Sequence, residues 1–186
     1  ASVNPNGQNM GSTNVQGYIF SGAVRNNGGQ YYHHRNITIK PTNINLADSA
    51  TVRFYFLDTE TEALIAATGC GTCSKPAMVT ELGVTKFSSA DIIENGDLAD
   101  NGGGNWSFII PSNVRKVPFD KGYYAEFKVK DFSEFWLNNG GPSNNQALPV
   151  ELTSFTATKN ASNDVLAEWV TASENNTARF EIELAR

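Results

Sequence analysis

Short runs of strict two-residue alternation between apolar and polar side chains constrain this chain more than any other feature. From Thr51 to Leu57, Val52, Phe54 and Phe56 fall on one side while Arg53 and Tyr55 fall on the other. From Tyr124 to Lys130, Ala125, Phe127 and Val129 alternate with Glu126, Lys128 and Lys130. That period belongs to strands with one face in a core. Trp106, Phe108 and Ile110 form a third expected inward set, ended by Pro111. Gly17 to Val24 and Tyr31 to Lys40 flank the turn Asn26-Asn27-Gly28-Gly29 and predict a hairpin. One helical signal interrupts the strands. Thr59 and Glu62 have capping-box spacing, Ala63 to Ala67 favour helix and Gly69 offers a stop, which predicts about two turns. A further turn is expected near Ser89 to Glu94. Neither is long enough for a crossover between parallel strands. The expected fold is all-β: an antiparallel β-sandwich with one short helix.

Residues 1–16, rich in Asn, Gly and Ser, read as an N-terminal arm or linker able to lie on a neighbouring copy. The sandwich is expected over 17–141 and a polar Gly/Pro-containing linker over 142–149. A second alternating system follows over 150–186: Val150, Leu152 and Phe155, then Val165, Ala167 and Trp169, then Phe180, Ile182 and Leu184. Three strands fall short of the roughly seven of a closed immunoglobulin-like sandwich, so this part reads as an incomplete fibronectin-III/immunoglobulin-like segment. Charged residues are 18% of the chain, and 21 Asn and 16 Gly supply much of the polar surface. That balance suits an extracellular module. A net charge of −5 with scattered lysines and arginines argues against nucleic acid as a partner. No run approaches the ~18 apolar residues of a membrane span. No basic-then-apolar signal opens the chain, so Ala1 reads as a mature or internal start.

The tail carries a more specific pattern. Leu148-Pro149-Val150-Glu151-Leu152-Thr153-Ser154-Phe155-Thr156-Ala157, Glu168-Trp169-Val170-Thr171-Ala172-Ser173-Glu174-Asn175-Asn176 and Phe180-Glu181-Ile182-Glu183 follow one another in this order. The segment resembles the fibronectin-III-like module of Bacteroidetes proteins exported by the type IX secretion pathway. The preceding part resembles the module that often stands before it. Its landmarks are Arg35 to Thr42, Val52 to Phe56, Glu62-Ala63-Leu64, Leu82 to Lys86 and Phe132 to Phe135. The resemblance implies an extracellular or outer-surface location and a modular context, and it carries no catalytic residue.

Cys70 and Cys73 have the spacing of redox motifs and of half a zinc site. The motif follows the expected helix instead of opening one, the wrong side for lowering a thiol pKa. Adjacent His33 and His34 point to opposite faces of a strand, so at most one could join a zinc site. A local disulfide is the preferred reading. Asp97, Asp100 and Asn101 are calcium candidates in an Asp/Asn/Gly loop, weighed against a simple solvated turn; no other cofactor is expected. Ser49, in Asp48-Ser49-Ala50, fits a short O-glycosylation pattern, weighed against an Asp/Ser turn. Asn36, Asn105, Asn160 and Asn175 begin N-glycosylation sequons without evident meaning in a bacterial protein. Tyr31, Tyr32 and Trp136 are candidates for a glycan platform, with Tyr123 and Tyr124 beside them. Adjacent tyrosines on a strand place one ring on each face, so burial explains such pairs equally well.

No Gly-rich phosphate loop, nucleophile elbow or Ser/His/Asp pattern occurs. The sequence therefore predicts a non-catalytic structural or interaction module of a secreted or cell-surface bacterial protein, assembling with its own neighbouring domains or copies into a fibre or adhesin. The alternative is a glycan-binding accessory module.

Overall fold

The computed structural model describes residues 1–44, 46–89, 93–101, 104–140, 152–159 and 164–171. The chain divides into two compact units, Ala1–Asn145 and Gln146–Arg186. The fold is all-β with one α-helix among the described residues.

The strands of the first unit are β1 (Ser2–Asn4), β2 (Thr13–Ile19), β3 (Arg25–Asn27), β4 (Gln30–Tyr32), β5 (Arg35–Pro41) and β6 (Ala50–Leu57), then β7 (Gly83–Ser88), β8 (Asn105–Ile109), β9 (Arg115–Phe119), β10 (Gly122–Val129) and β11 (Glu134–Asn138). Helix α1 (Asp58–Ala66) follows β6 directly. One sheet has the order β1-β6-β10-β9 and the other β2-β5-β11-β7-β8, with antiparallel pairing throughout both. Between them lies the main core. Val52, Phe54, Phe56, Ala125 and Phe127 of the first sheet meet Ile37, Ile39, Val84, Phe135 and Leu137 of the second.

The two clearest alternations fold as expected, with Val52, Phe54, Phe56, Ala125, Phe127 and Val129 all buried. The expected hairpin is a nested one. β3 and β4 close on Gly28 and Gly29, both in the left-handed region (φ 57° and 79°), while β2 pairs with β5 outside them. Helix α1 starts two residues earlier than the capping-box reading placed it, with Leu57 and not Thr59 at the N-cap. Glu60, not Glu62, reaches back, accepting the Leu57 N–H at 2.8 Å.

Two expectations need correction. The first sixteen residues are no free arm. Val3 of β1 pairs with Val52, and Thr13 to Gln16 of β2 pair with Pro41 to Thr38, so the segment caps the edges of both sheets of its own chain. Asn, Gly and Ser misled because these edge strands bury little and need few apolar side chains. Trp106, Phe108 and Ile110 are likewise no inward set. Ile109 packs on the main core, Trp106 packs on the opposite face of its sheet against Phe87, and Ile110 is exposed. The expected turn at Ser89 to Glu94 lies partly outside the described residues.

In the second unit, β12 (Leu152–Lys159) and β13 (Val165–Thr171) form an antiparallel hairpin, with Phe155 opposite Trp169 and Ala157 opposite Ala167. The pairing register shifts between Leu152 and Ser154, an irregularity at the start of β12. Val150 and the set Phe180, Ile182 and Leu184 lie outside the described residues. No helix among the described residues is long and apolar enough to cross a membrane.

Candidate functional site

Several chemically capable side chains of the first unit, among them His33, Glu60, Glu94 and Glu134, turn inward, and some of them hold its covering loops. On β11, Glu134 and Trp136 face away from the main core and are nonetheless fully buried, because 93–101 and the β3–β4 hairpin lie over them. Glu134 accepts a hydrogen bond from Asn36 Nδ2 at 2.7 Å and one from Asn101 Nδ2 at 3.3 Å. Burial raises its pKa to about 7, opposed by the bonds from Asn101 and the Gly96 amide and aided by nearby Glu94 and Asp100. Arg25 stands 4.4 Å over the Trp136 ring and donates to the Gly96 carbonyl at 2.8 Å and the His34 carbonyl at 2.9 Å. Glu94 accepts from Ser133 Oγ at 2.6 Å and the Ser89 N–H at 2.9 Å, and pairs with Lys40 at 3.6 Å. These bonds tie the loop to the sheet.

The sequence-derived sites fall into this scaffold. Tyr31 turns into the main core and Tyr32 into the second cluster beneath Trp106, one ring to each face as alternation requires. Tyr31, Tyr32 and Trp136 are all at most 2% exposed, so these three cannot present a surface to sugars. The calcium candidates act as turn and latch residues. Asp97 Oδ1 accepts the Ala99 N–H at 2.9 Å, Asp100 Oδ2 accepts from Asn95 Nδ2 at 2.8 Å, and the Asn101 amide is buried against Glu134. No group of three His, Cys, Asp or Glu able to hold a metal occurs among the described residues. Cys70 and Cys73 form the expected disulfide. It closes a loop whose Ser74 bonds Gly29 and Tyr31 through the backbone, and whose Cys70 N–H is taken by the Tyr31 hydroxyl. Asp48 Oδ1 accepts the Ser49 N–H at 2.7 Å, the Asp/Ser turn geometry, and the Ser49 carbonyl accepts from Asn6. His33 is buried near Thr61, its pKa lowered to about 3 chiefly by burial and then by the charges of Arg35, His34 and Arg25.

The outward face of the β1-β6-β10-β9 sheet is different. Cross-strand register stacks its side chains in three rows over β6, β10 and β9: Arg53, Glu126 and Arg115; Tyr55, Tyr124 and Val117; Leu57, Gly122 and Phe119. In the first row Glu126 is shared, at 2.6 Å from Arg53 Nε and 3.8 Å from Arg115 Nη1. Arg53 also lies 4.9 Å over the Tyr124 ring. In the last row Gly122 has no side chain, so Phe119 reaches across β10 to within 5.1 Å of the Tyr55 ring, and 6.2 Å separate it from Tyr124. Phe119 is 54% exposed and Leu57 41%. Beyond the first row, where β9 no longer pairs with β10, a groove of about 470 Å³ is lined by Thr51, Lys128, Arg115, Glu126, Ser112 and Asn113 among others. Rings and ion-pairing groups thus share one accessible strip.

Of this strip the sequence had singled out Tyr124 alone. Arg53, Tyr55 and Glu126 were legible as outward positions of the two clearest strands, but their union required the register of β6 on β10. Phe119 and Arg115 had no such signal, since β9 carries Pro118 and a broken alternation. The fold is an antiparallel β-sandwich, one face of which carries this accessible aromatic and charged strip. No family model, no curated protein and no solved structure matches the chain.

Proposed function

We propose that this chain is a non-catalytic interaction module of a secreted or cell-surface bacterial protein, and that its contact surface is the open face of β6, β10 and β9. One observation carries the reading. Rings, arginines and a carboxylate meet in three registered rows on a sheet face that no described residue of the first unit covers, whereas His33, Glu60, Glu94 and Glu134 are committed to internal bonds. Binding surfaces draw on aromatic and arginine side chains in this way. Low charge density, the Cys70–Cys73 disulfide and the tail's resemblance to modules of type IX-exported proteins support an oxidising, extracellular setting. Assembly with neighbouring domains or copies belongs to the same proposal.

The test compares the chain with a Tyr124→Ala/Phe119→Ala double variant on immobilised peptidoglycan, neutral and acidic polysaccharides, and a coat of the chain itself. Retention of the parent chain on at least one surface, lost in the double variant with near-UV circular dichroism preserved, supports the reading. Equal retention of both, or retention of neither on any surface, overturns it.

A further inference from the structure

We infer that the ligand of this face is an acidic oligosaccharide, bound along β10 with sugar faces on the Tyr55, Tyr124 and Phe119 rings and a carboxylate at Arg53 and Arg115. The inference rests on the proposed contact face and adds the chemistry that it recognises.

Size favours an extended ligand over a folded protein as the occupant of the strip itself, and assembly with domains or copies would draw on surface beyond it. Three strands span about 14 Å, and four rows from Thr51 and Lys128 to Leu57 and Phe119 span about 20 Å, which gives a strip of roughly 300 Å². A stable protein interface takes about 800 Å² from each partner. A narrow strip fits an extended chain one residue wide. The ring arrangement points the same way. Tyr55, Tyr124 and Phe119 are tilted at 54° to 65° to one another, so no single flat ligand lies on all three. A chain of pyranose rings, whose CH faces turn from residue to residue, meets tilted rings one at a time. Apolar ring faces bordered by a few fixed polar groups are also the general makeup of small-ligand sites.

Charge supplies the remaining specification. Arg53, Arg115 and Lys128 outnumber the carboxylates near them, Glu126 and, towards Lys128, Asp48, so the strip is positive on a chain whose net charge is −5. Arg53 is held by Glu126 and by the Tyr124 ring, which leaves its fork preorganised. Arg115 is 72% exposed and reaches Glu126 only at 3.8 Å, free to take a carboxylate bidentately. Neutral sugars would use the rings and leave this charge unanswered.

The experiment titrates the full chain with tetragalacturonate and, as the neutral comparator, cellotetraose, following backbone amide shifts by NMR. The expected result is saturable shifts on β6, β9 and β10 with the acidic probe and at least about tenfold weaker binding of cellotetraose. Phe119→Ala and Arg115→Glu should each weaken tetragalacturonate about tenfold, and since both side chains are largely exposed both variants should fold. Tetragalacturonate binding indifferent to Phe119→Ala would be charge attraction alone and overturns the inference. Cellotetraose binding as tightly, with the ring dependence intact, overturns the acidic assignment while leaving the contact face standing. Shifts on these strands that grow with protein concentration alone would make the face a self-interface and overturn the sugar ligand. Silence with both probes overturns it too, and only silence joined to failure on every immobilised surface removes the contact face as well.

Discussion

The two sheets of the first unit share one alternating pattern, yet their outward faces have opposite fates. On β6 and β10 the outward positions are Arg53, Tyr55, Tyr124 and Glu126, and they remain accessible. On β5, β11 and β7 the outward positions Asn36, Thr38, Glu134, Trp136, Thr85 and Phe87 are all buried, and Lys40 at the end of β5 is half-buried. Both faces mix rings with charge. What separates them is cover. The longer sheet lies beneath 93–101 and the β3–β4 hairpin, and its polar side chains serve as the cover's anchors. Nothing among the described residues of the first unit lies over the rows of the other sheet. A polar or aromatic side chain pointing out of a strand therefore signals binding only where no loop returns across it.

Trp136→Ala should break the covered face most severely. The ring is fully buried, packs edge-on against Tyr32 at 5.8 Å and supports Arg25. Its removal should cost about 3–5 kcal/mol in urea unfolding, as for an aromatic side chain in a main core. A loss within about 1 kcal/mol would mean that the cover is held loosely and that the two faces differ little in what they contribute to folding.

Glu134→Gln tests the same face by pH. Glu134 has its pKa raised from 4.5 to about 7, so the folded state holds its proton more tightly than the unfolded chain. Its contribution is complete below the unfolded value and is lost as pH rises from 4.5 to 7. His33 is lowered from 6.5 to about 3 and acts in the other direction, losing stability as pH falls from 6.5 towards 3. Between 4.5 and 6.5 the two slopes oppose each other, and stability should vary little there. Glu134→Gln keeps an acceptor for Asn36 while removing one slope. The variant should lose up to about 1.4 kcal/mol per pH unit on acidification through that window, the slope of one proton. Parallel profiles for variant and parent chain, measured by urea unfolding, would place Glu134 in contact with water.

The sequence showed the sandwich because alternation in Thr51–Leu57 and Tyr124–Lys130 reports directly which side chains face a core. It also showed the local disulfide, because a three-residue separation and the helix before it left few other uses for two cysteines. It hid the cover, since Asn95 to Asn101 has the composition of any solvated turn and only the three-dimensional path brings Asn101 to Glu134. Trp136 was misplaced for the same reason. Phe135, Trp136 and Leu137 form a continuous apolar run, which means burial on both faces. Giving weight to that run would have moved Trp136 off the surface and left Tyr124 as the ring to follow. Ser2–Asn4 was hidden more deeply, because three edge residues carry no periodicity to read.

The open face should tolerate the changes that the covered face does not. Arg115 and Phe119 contribute exposed contacts, so Arg115→Ala and Phe119→Ala should each alter stability by no more than about 0.5 kcal/mol. Glu126→Gln should cost somewhat more, up to about 1 kcal/mol, because it loosens Arg53 from its place over Tyr124. Urea midpoints of the three variants, set beside that of Trp136→Ala, measure the contrast directly. Near-neutral stability with weakened ligand retention marks side chains kept for contact and not for folding. A loss of 2 kcal/mol or more in Arg115→Ala would place the first row among the bonds that hold the sheet together, and the open face would then be a second structural surface like the one beneath its cover.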